Sequence, residues 1–183
     1  MKPINILQKE ELVLRKNAES VPLKEITSPK IKKIIADMKT ALESQTDGVA
    51  IAAPQIGVPL RIFVVSKRAE IIIKELKDIS EAEMKKMKDL VYINPEIKKL
   101  SRTKVQLDEG CLSVRYLYGK VKRAEKVTIT AYDENGEKFT RGVSGLLAQI
   151  FQHETDHLNG ILFTDKAENI VEVLPDNTSK KNE

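Results

Sequence analysis

The chain holds only two histidines, and they stand four residues apart in His153-Glu154-Thr155-Asp156-His157. No other feature constrains the fold as much, because the pair has chemical meaning only on a helix. The flanking residues predict one. Leu146, Leu147, Ile150 and Phe151 recur at helical spacing. Ser144 stands where a cap belongs and Gly160 where the helix would stop, giving a heavily buried helix from about Ser144 to Leu158. A spacing of four then puts both imidazoles on one face, one turn apart. Two imidazoles so placed reach one metal ion, and the adjacent Glu154 can contact a water there without being a ligand. The plainer reading is a pair of histidines that merely follow helical periodicity. A good helix and no competing histidine weigh against it.

A catalytic site of this kind needs a third protein ligand and one open position. Cys111 is the only cysteine, so it cannot form an intrachain disulfide. It sits in Glu109-Gly110-Cys111-Leu112-Ser113, where Gly110 lets the backbone bend tightly. A lone cysteine is as often inert and buried, and spacing alone leaves Glu109 and Asp156 open as third ligands. A thiolate donor would offset half the charge of a divalent cation and favour a softer metal such as zinc or ferrous iron.

The remaining chain reads as one α+β domain. Its 183 residues suffice to bury a core without disulfides, with 41% hydrophobic and 32% charged residues. A lead-in over residues 6–22 turns Leu12, Leu14 and Val21 inward. A helix follows from Ser28-Pro29 with Ile31, Ile34, Ile35, Met38 and Leu42 on one face, ending by Thr46-Asp47-Gly48. Strands are expected at residues 61–66 and 90–94, a hairpin over residues 127–140 turning at Glu134-Asn135-Gly136, and a short strand at residues 161–163. Residues 67–89, with seven basic and six acidic residues, read as a mostly helical, solvent-exposed excursion. The catalytic domain is expected to span residues 1–167, followed by a polar tail over 168–183 that is disordered from residue 175.

Charge excludes more than it suggests. The net charge is +4, but bases and acids are interleaved, and aromatics are 4% with no tryptophan. A sequence-specific nucleic-acid partner is therefore not expected. No apolar run reaches the length of a membrane span, and no signal peptide is visible, so the expected location is cytoplasmic.

Three blocks carry a family resemblance: Gly48-Val-Ala-Ile-Ala-Ala-Pro-Gln55, Glu109-Gly-Cys-Leu-Ser113 and Gln152-His-Glu-Thr-Asp-His157. Together with Ile93-Asn-Pro95 and Arg123-Ala-Glu-Lys126, they resemble the signature motifs of peptide deformylase, in the family's order. The resemblance implies antiparallel sheets packed around a central metal-binding helix. It implies removal of the formyl group from nascent polypeptides that begin with formylmethionine. Carried onto this chain, Cys111, His153 and His157 would hold the metal and Glu154 would move the proton. The Gln55 amide and the Leu112 backbone N–H would stabilise the oxyanion. Ferrous iron is the implied physiological metal, with zinc, nickel or cobalt as substitutes.

From helix geometry, Leu146 and Ile150 lie on the His153 face and are expected to wall the methionine pocket, with Val49, Ala50 and Gly110 as neighbours. Glu109 is expected to pair with Arg123, since a carboxylate that close to a buried site needs a partner.

The chain also departs from the family. Ala50 replaces a usual glycine, Val114-Arg-Tyr-Leu-Tyr118 replaces a small apolar residue and proline, and residues 67–89 are longer than the common connection. The tail does not resemble the long helix that docks some bacterial members on ribosomes; the partners the family resemblance implies are nascent formylmethionyl peptides, with a transient ribosome association. These departures keep two alternatives in view: a metallo-amidase with another substrate, and a peptide-binding module without catalysis.

Overall fold

The four residues Ile62–Val65 are all buried, which a strand achieves only when both of its faces are covered. The computed structural model, which describes residues 4–75 and 80–174, shows what covers them. Its strands are β1 (Ala50–Ala52), β2 (Ile62–Val65), β3 (Leu90–Leu100), β4 (Lys104–Cys111), β5 (Val114–Ala124), β6 (Lys126–Tyr132), β7 (Lys138–Ser144) and β8 (Glu168–Glu172). Its α-helices are α1 (Pro29–Glu43), α2 (Lys67–Ile73), α3 (Glu81–Lys86) and α4 (Gly145–Leu158). One antiparallel sheet runs β1-β2-β3-β6-β7 and a second runs β4-β5-β8.

Strand alternation divides the first sheet between two helices. Ile51, Ile62, Val64, Val91 and Ile93 pack with Ile31, Ile35, Met38 and Leu42 of α1. The intervening Ala50, Ala52, Phe63, Val65 and Tyr92 pack with Ala148, Ile150, Phe151 and Leu158 of α4. Phe63 and Tyr92 stack at 4.6 Å between centroids, and Phe151 meets Tyr92 edge-on at 4.8 Å. Helix α4 therefore lies against the sheet along its whole length, which holds the histidine motif still.

The lead-in is tied to the sheet by Asn94, whose side chain accepts from the Val21 N–H and donates to the Val21 carbonyl, both at 2.8 Å. Asn94 has a φ of 49°, and the β3–β6 register slips between Ile93 and Glu96. That irregularity absorbs Pro95, so β3 runs on to Leu100 rather than ending at residue 94.

Other expectations are corrected. Leu12 is 74% exposed, because the 3₁₀ turn Leu12–Arg15 turns only Leu14 fully inward. Ser144 occupies the cap position of α4 without a side-chain bond, since it also closes β7 against Lys126. Residues 161–163 do not form a strand: the Asp165 carboxylate accepts from the Leu162 N–H and starts the 3₁₀ turn Phe163–Asp165. The boundary at residue 167 falls short, because β8 pairs with β5 through Tyr118↔Val171 and Lys120↔Glu168. The excursion contains α2 and α3, while residues 76–79 and the tail from residue 175 lie outside the described residues.

Candidate active site

Three chain segments converge on one point. Helix α4 brings His153 and His157, whose rings lie 5.0 Å apart. The end of β4 brings Cys111, where a register slip against β5 turns the backbone. The 3₁₀ turn Ala53–Ile56, which follows β1, brings Gln55. Ligand atoms of Cys111, His153 and His157 all lie within 4.8 Å of one another, and theirs is the one such cluster among the described residues.

The donor set suits a divalent ion. Burial pushes the Cys111 thiol up, but the two imidazoles more than offset this and leave it at about 5, so sulfur is a thiolate at neutral pH. The Cys111 Sγ lies 3.2 Å from His157 Nε2 and accepts from the Ser113 N–H at 3.4 Å. His153 uses Nδ1 on the Glu109 carboxylate at 3.0 Å, which leaves its Nε2 for a metal. Glu109 and Asp156, left open as ligands by spacing, are both committed elsewhere.

That commitment is a buried charge chain. Arg123 donates from Nε and Nη2 to both Glu109 oxygens at 2.7 and 2.9 Å, and from Nη1 to Asp156 Oδ2 at 2.6 Å. Lys166 reaches Asp156 Oδ1 at 2.7 Å. Burial alone would raise the Glu109 carboxyl, but Arg123 and His153 bring it down to about 2. The carboxylate is thus a fixed anion that orients His153.

Glu154 has the opposite setting. Burial raises its carboxyl to about 7, and its Oε2 has no hydrogen-bond partner. It lines a cavity of about 310 Å³ together with Gln55, Cys111, Leu112 and His153. A carboxyl poised near neutrality, on a residue that lines a cavity and keeps one oxygen unused, is suited to taking and returning a proton.

Gln55 is aimed by its own turn. Its Oε1 accepts from the Ala52 N–H at 2.8 Å, so the amide nitrogen must face the other way, toward Ser113 Oγ at 3.1 Å and Cys111 Sγ at 3.7 Å. Val49, Ala50, Gly110, Leu146 and Ile150 also line the cavity, making one wall apolar. Ala50 carries no positive φ; it is an ordinary β1 residue opposite Val65, and its methyl group adds to that wall. A Cβ at Gly110 would lie 2.8 Å from the exposed Tyr118 ring and would have to displace it.

Several residues were missed. Gln152 clamps α4 to β5 by accepting from the Ala124 N–H and donating to the Ala124 carbonyl, both at 2.9 Å. A polar residue within the buried stripe of a helix was its available signal. Ser113, which steadies Gln55, depends on a distant partner, and Asp156, left open by spacing as a ligand, is instead the second carboxylate on Arg123.

A family model described as Polypeptide deformylase matches residues 1–172. The chain belongs to that family. Peptide deformylase 2 of Clostridium acetobutylicum is 42% identical over 156 residues, 85% of this chain and 89% of that one. A peptide deformylase from Synechococcus elongatus, solved in complex with actinonin, superposes with a TM-score of 0.78 at 35% identity, covering 92% of this chain and 83% of that chain. A class I type b peptide deformylase from Acinetobacter baumannii, solved with Met-Ala-Ser bound, gives 0.76 at 32% identity, covering 91% of this chain and all of the other. As a deformylase, this chain is a metal-dependent hydrolase of protein biosynthesis that removes N-terminal formyl groups. The antiparallel α+β architecture matches that of these structures. Among the described residues, no helix is long and apolar enough to cross a membrane.

Proposed function

We propose that Cys111, His153 and His157 hold one divalent metal, and that Glu154 is the proton carrier in removing formyl from formylmethionyl nascent peptides. The observation that carries this reading is the convergence of three ligand atoms within 4.8 Å beside a buried carboxylate whose Oε2 has no partner. A divalent ion held by these three residues would supply Lewis acidity to the reaction. The thiolate suits a softer divalent ion such as zinc or ferrous iron, and the family resemblance makes ferrous iron the native metal of this reading, with zinc, nickel or cobalt able to replace it.

The chain's own groups supply the rest. Glu154 takes a proton from the attacking water as its oxygen bonds to the formyl carbon. When the C–N bond breaks, the same carboxyl returns the proton to the departing amine, leaving formate and a free N-terminus. The Gln55 amide and the Leu112 N–H donate to the oxygen that gains charge. The methionine side chain packs against Val49, Ala50, Leu146 and Ile150, which line the cavity together with Gly110. The Met-Ala-Ser bound to the Acinetobacter protein has the chemistry of a deformylated product, which supports a peptide starting with methionine as the substrate here. Transient contact with ribosomes in the cytoplasm belongs to the same reading.

The test is formate release from formyl-Met-Ala-Ser by anaerobically prepared iron protein or by nickel protein. Glu154→Ala should bind metal in the same ratio yet turn over about 10²- to 10⁴-fold more slowly. Unchanged turnover would remove Glu154 from the proton transfer.

A further inference from the structure

The charged excursion touches the loop beside the substrate cleft through one residue. Arg68, on the first turn of α2, donates to the backbone carbonyls of Glu43 at 3.2 Å, of Gly48 at 3.5 Å, and of Gln45. Those carbonyls belong to the C-terminal end of α1 and to the loop over residues 44–48 that leads into β1. A guanidinium there satisfies carbonyls that the helix leaves unpaired and neutralises its negative end. Helix α2 is itself anchored: Ser66 caps it, Ala69 is buried, and Asp89 accepts from the Lys67 N–H at 2.9 Å.

The same loop is held from the other side of the cleft. Arg115, the second residue of β5, donates to the Asp47 carboxylate at 2.8 Å and to the Gln45 side-chain oxygen. Asp47, Gly48, Val49 and Arg115 line the cavity, whereas Arg68 does not. The Arg115 and Asp47 side chains are 29% and 55% exposed, while Gln55 and Glu154 at the inner end are buried. On the deformylase reading the formyl group lies at the inner end, beside Gln55 and Glu154, which leaves the exposed Arg115–Asp47 bridge at the cavity rim for residues after methionine.

We propose that Arg68 is a positioning residue for substrate binding. It fixes loop 44–48 so that Asp47 meets Arg115, and the bridge sets how the cleft grips residues beyond methionine. This rests on the deformylase reading above, and the experiment separates the two. Formate release is followed with formyl-Met-Ala-Ser and with formylmethionine amide for wild type, Arg68→Ala, Arg68→Lys, Arg115→Ala and the Arg68→Ala/Arg115→Ala double variant.

Loss of charge-assisted bonds to the loop should raise KM for the tripeptide on the order of tenfold in Arg68→Ala, with kcat within about twofold. The amide should lose much less. Arg68→Lys should recover part of the effect, and the double variant should be little worse than the worse single variant, because both act through one loop. Equal losses on both substrates would reduce Arg68 to a structural cap, and additive losses would uncouple it from Arg115. Either result overturns the proposal, as does an unchanged KM for the tripeptide. If wild type itself releases no formate from either substrate, the deformylase reading fails instead. A Tm measured for each variant identifies a chain that has simply lost its fold, and Arg68→Lys then carries the test.

Discussion

Two arginines frame the cavity, and they teach different lessons. Arg123 lies behind the metal site, 3% exposed, with three short bonds to two buried carboxylates. Arg115 lies at the mouth, half-buried, with one carboxylate that is mostly in water. The pairing chemistry is similar, but the surroundings differ. Behind the site, water cannot replace a lost partner, so the chain from Asp156 through Arg123 and Glu109 to His153 is all or nothing, while Lys166 at its outer end is 40% exposed. At the mouth water competes throughout, so the bridge contributes shape more than stability.

The most severe way to break this comparison is Arg123→Met. It leaves Glu109 and Asp156 buried without their cation and should cost about 3–5 kcal/mol of stability. Urea unfolding and metal stoichiometry would both register it, since His153 also loses its orientation. A loss below about 1 kcal/mol would make Arg123 no different from a surface residue.

A second comparison uses acid. The Glu109 carboxyl sits near 2 in the fold against an ordinary 4.5. Its contribution is fully present above the ordinary value and is lost as pH falls from there toward 2. Chelator-treated protein should therefore lose on the order of 3 kcal/mol across that window. Glu109→Gln should be weaker at neutral pH and flatter with acid. Equal slopes in urea titrations of the two proteins would show that Glu109 is not held as an anion.

The smallest effect belongs to the mouth. Arg115→Ala should change stability by less than about 1 kcal/mol, and the difference should shrink further in salt. Its thermal midpoint in low and high salt, set beside that of Arg123→Met, would sharpen the contrast.

Much of the site was legible because its signals are local. The four-residue spacing of the histidines, the run of apolar residues before them and Gly160 after them are properties of one helix. Gly160 has a φ of 71°, and a Cβ there would lie 2.7 Å from the Arg15 backbone, so its role as a stop has two physical causes. Helix α1 was equally plain: Ser28 accepts from the Ile31 N–H, and Pro29 opens the first turn. Strand β8 was not legible. All its residues are exposed, so it carries no burial pattern, and it exists because β5 offers an unpaired edge.

By itself, the sequence determined the helix that carries His153, Glu154 and His157, the apolar faces of α1 and α4, and the candidate ligand types. These follow from backbone periodicity and from the scarcity of histidine and cysteine. Only the tertiary structure decided which carboxylates are free to act. Arg123, expected to hold Glu109, also holds Asp156, and Glu154, two residues from Asp156, has a buried oxygen with no partner. Neighbouring carboxylates on one helix differ in this way because burial and partners arrive from other strands, and no spacing along the chain encodes them.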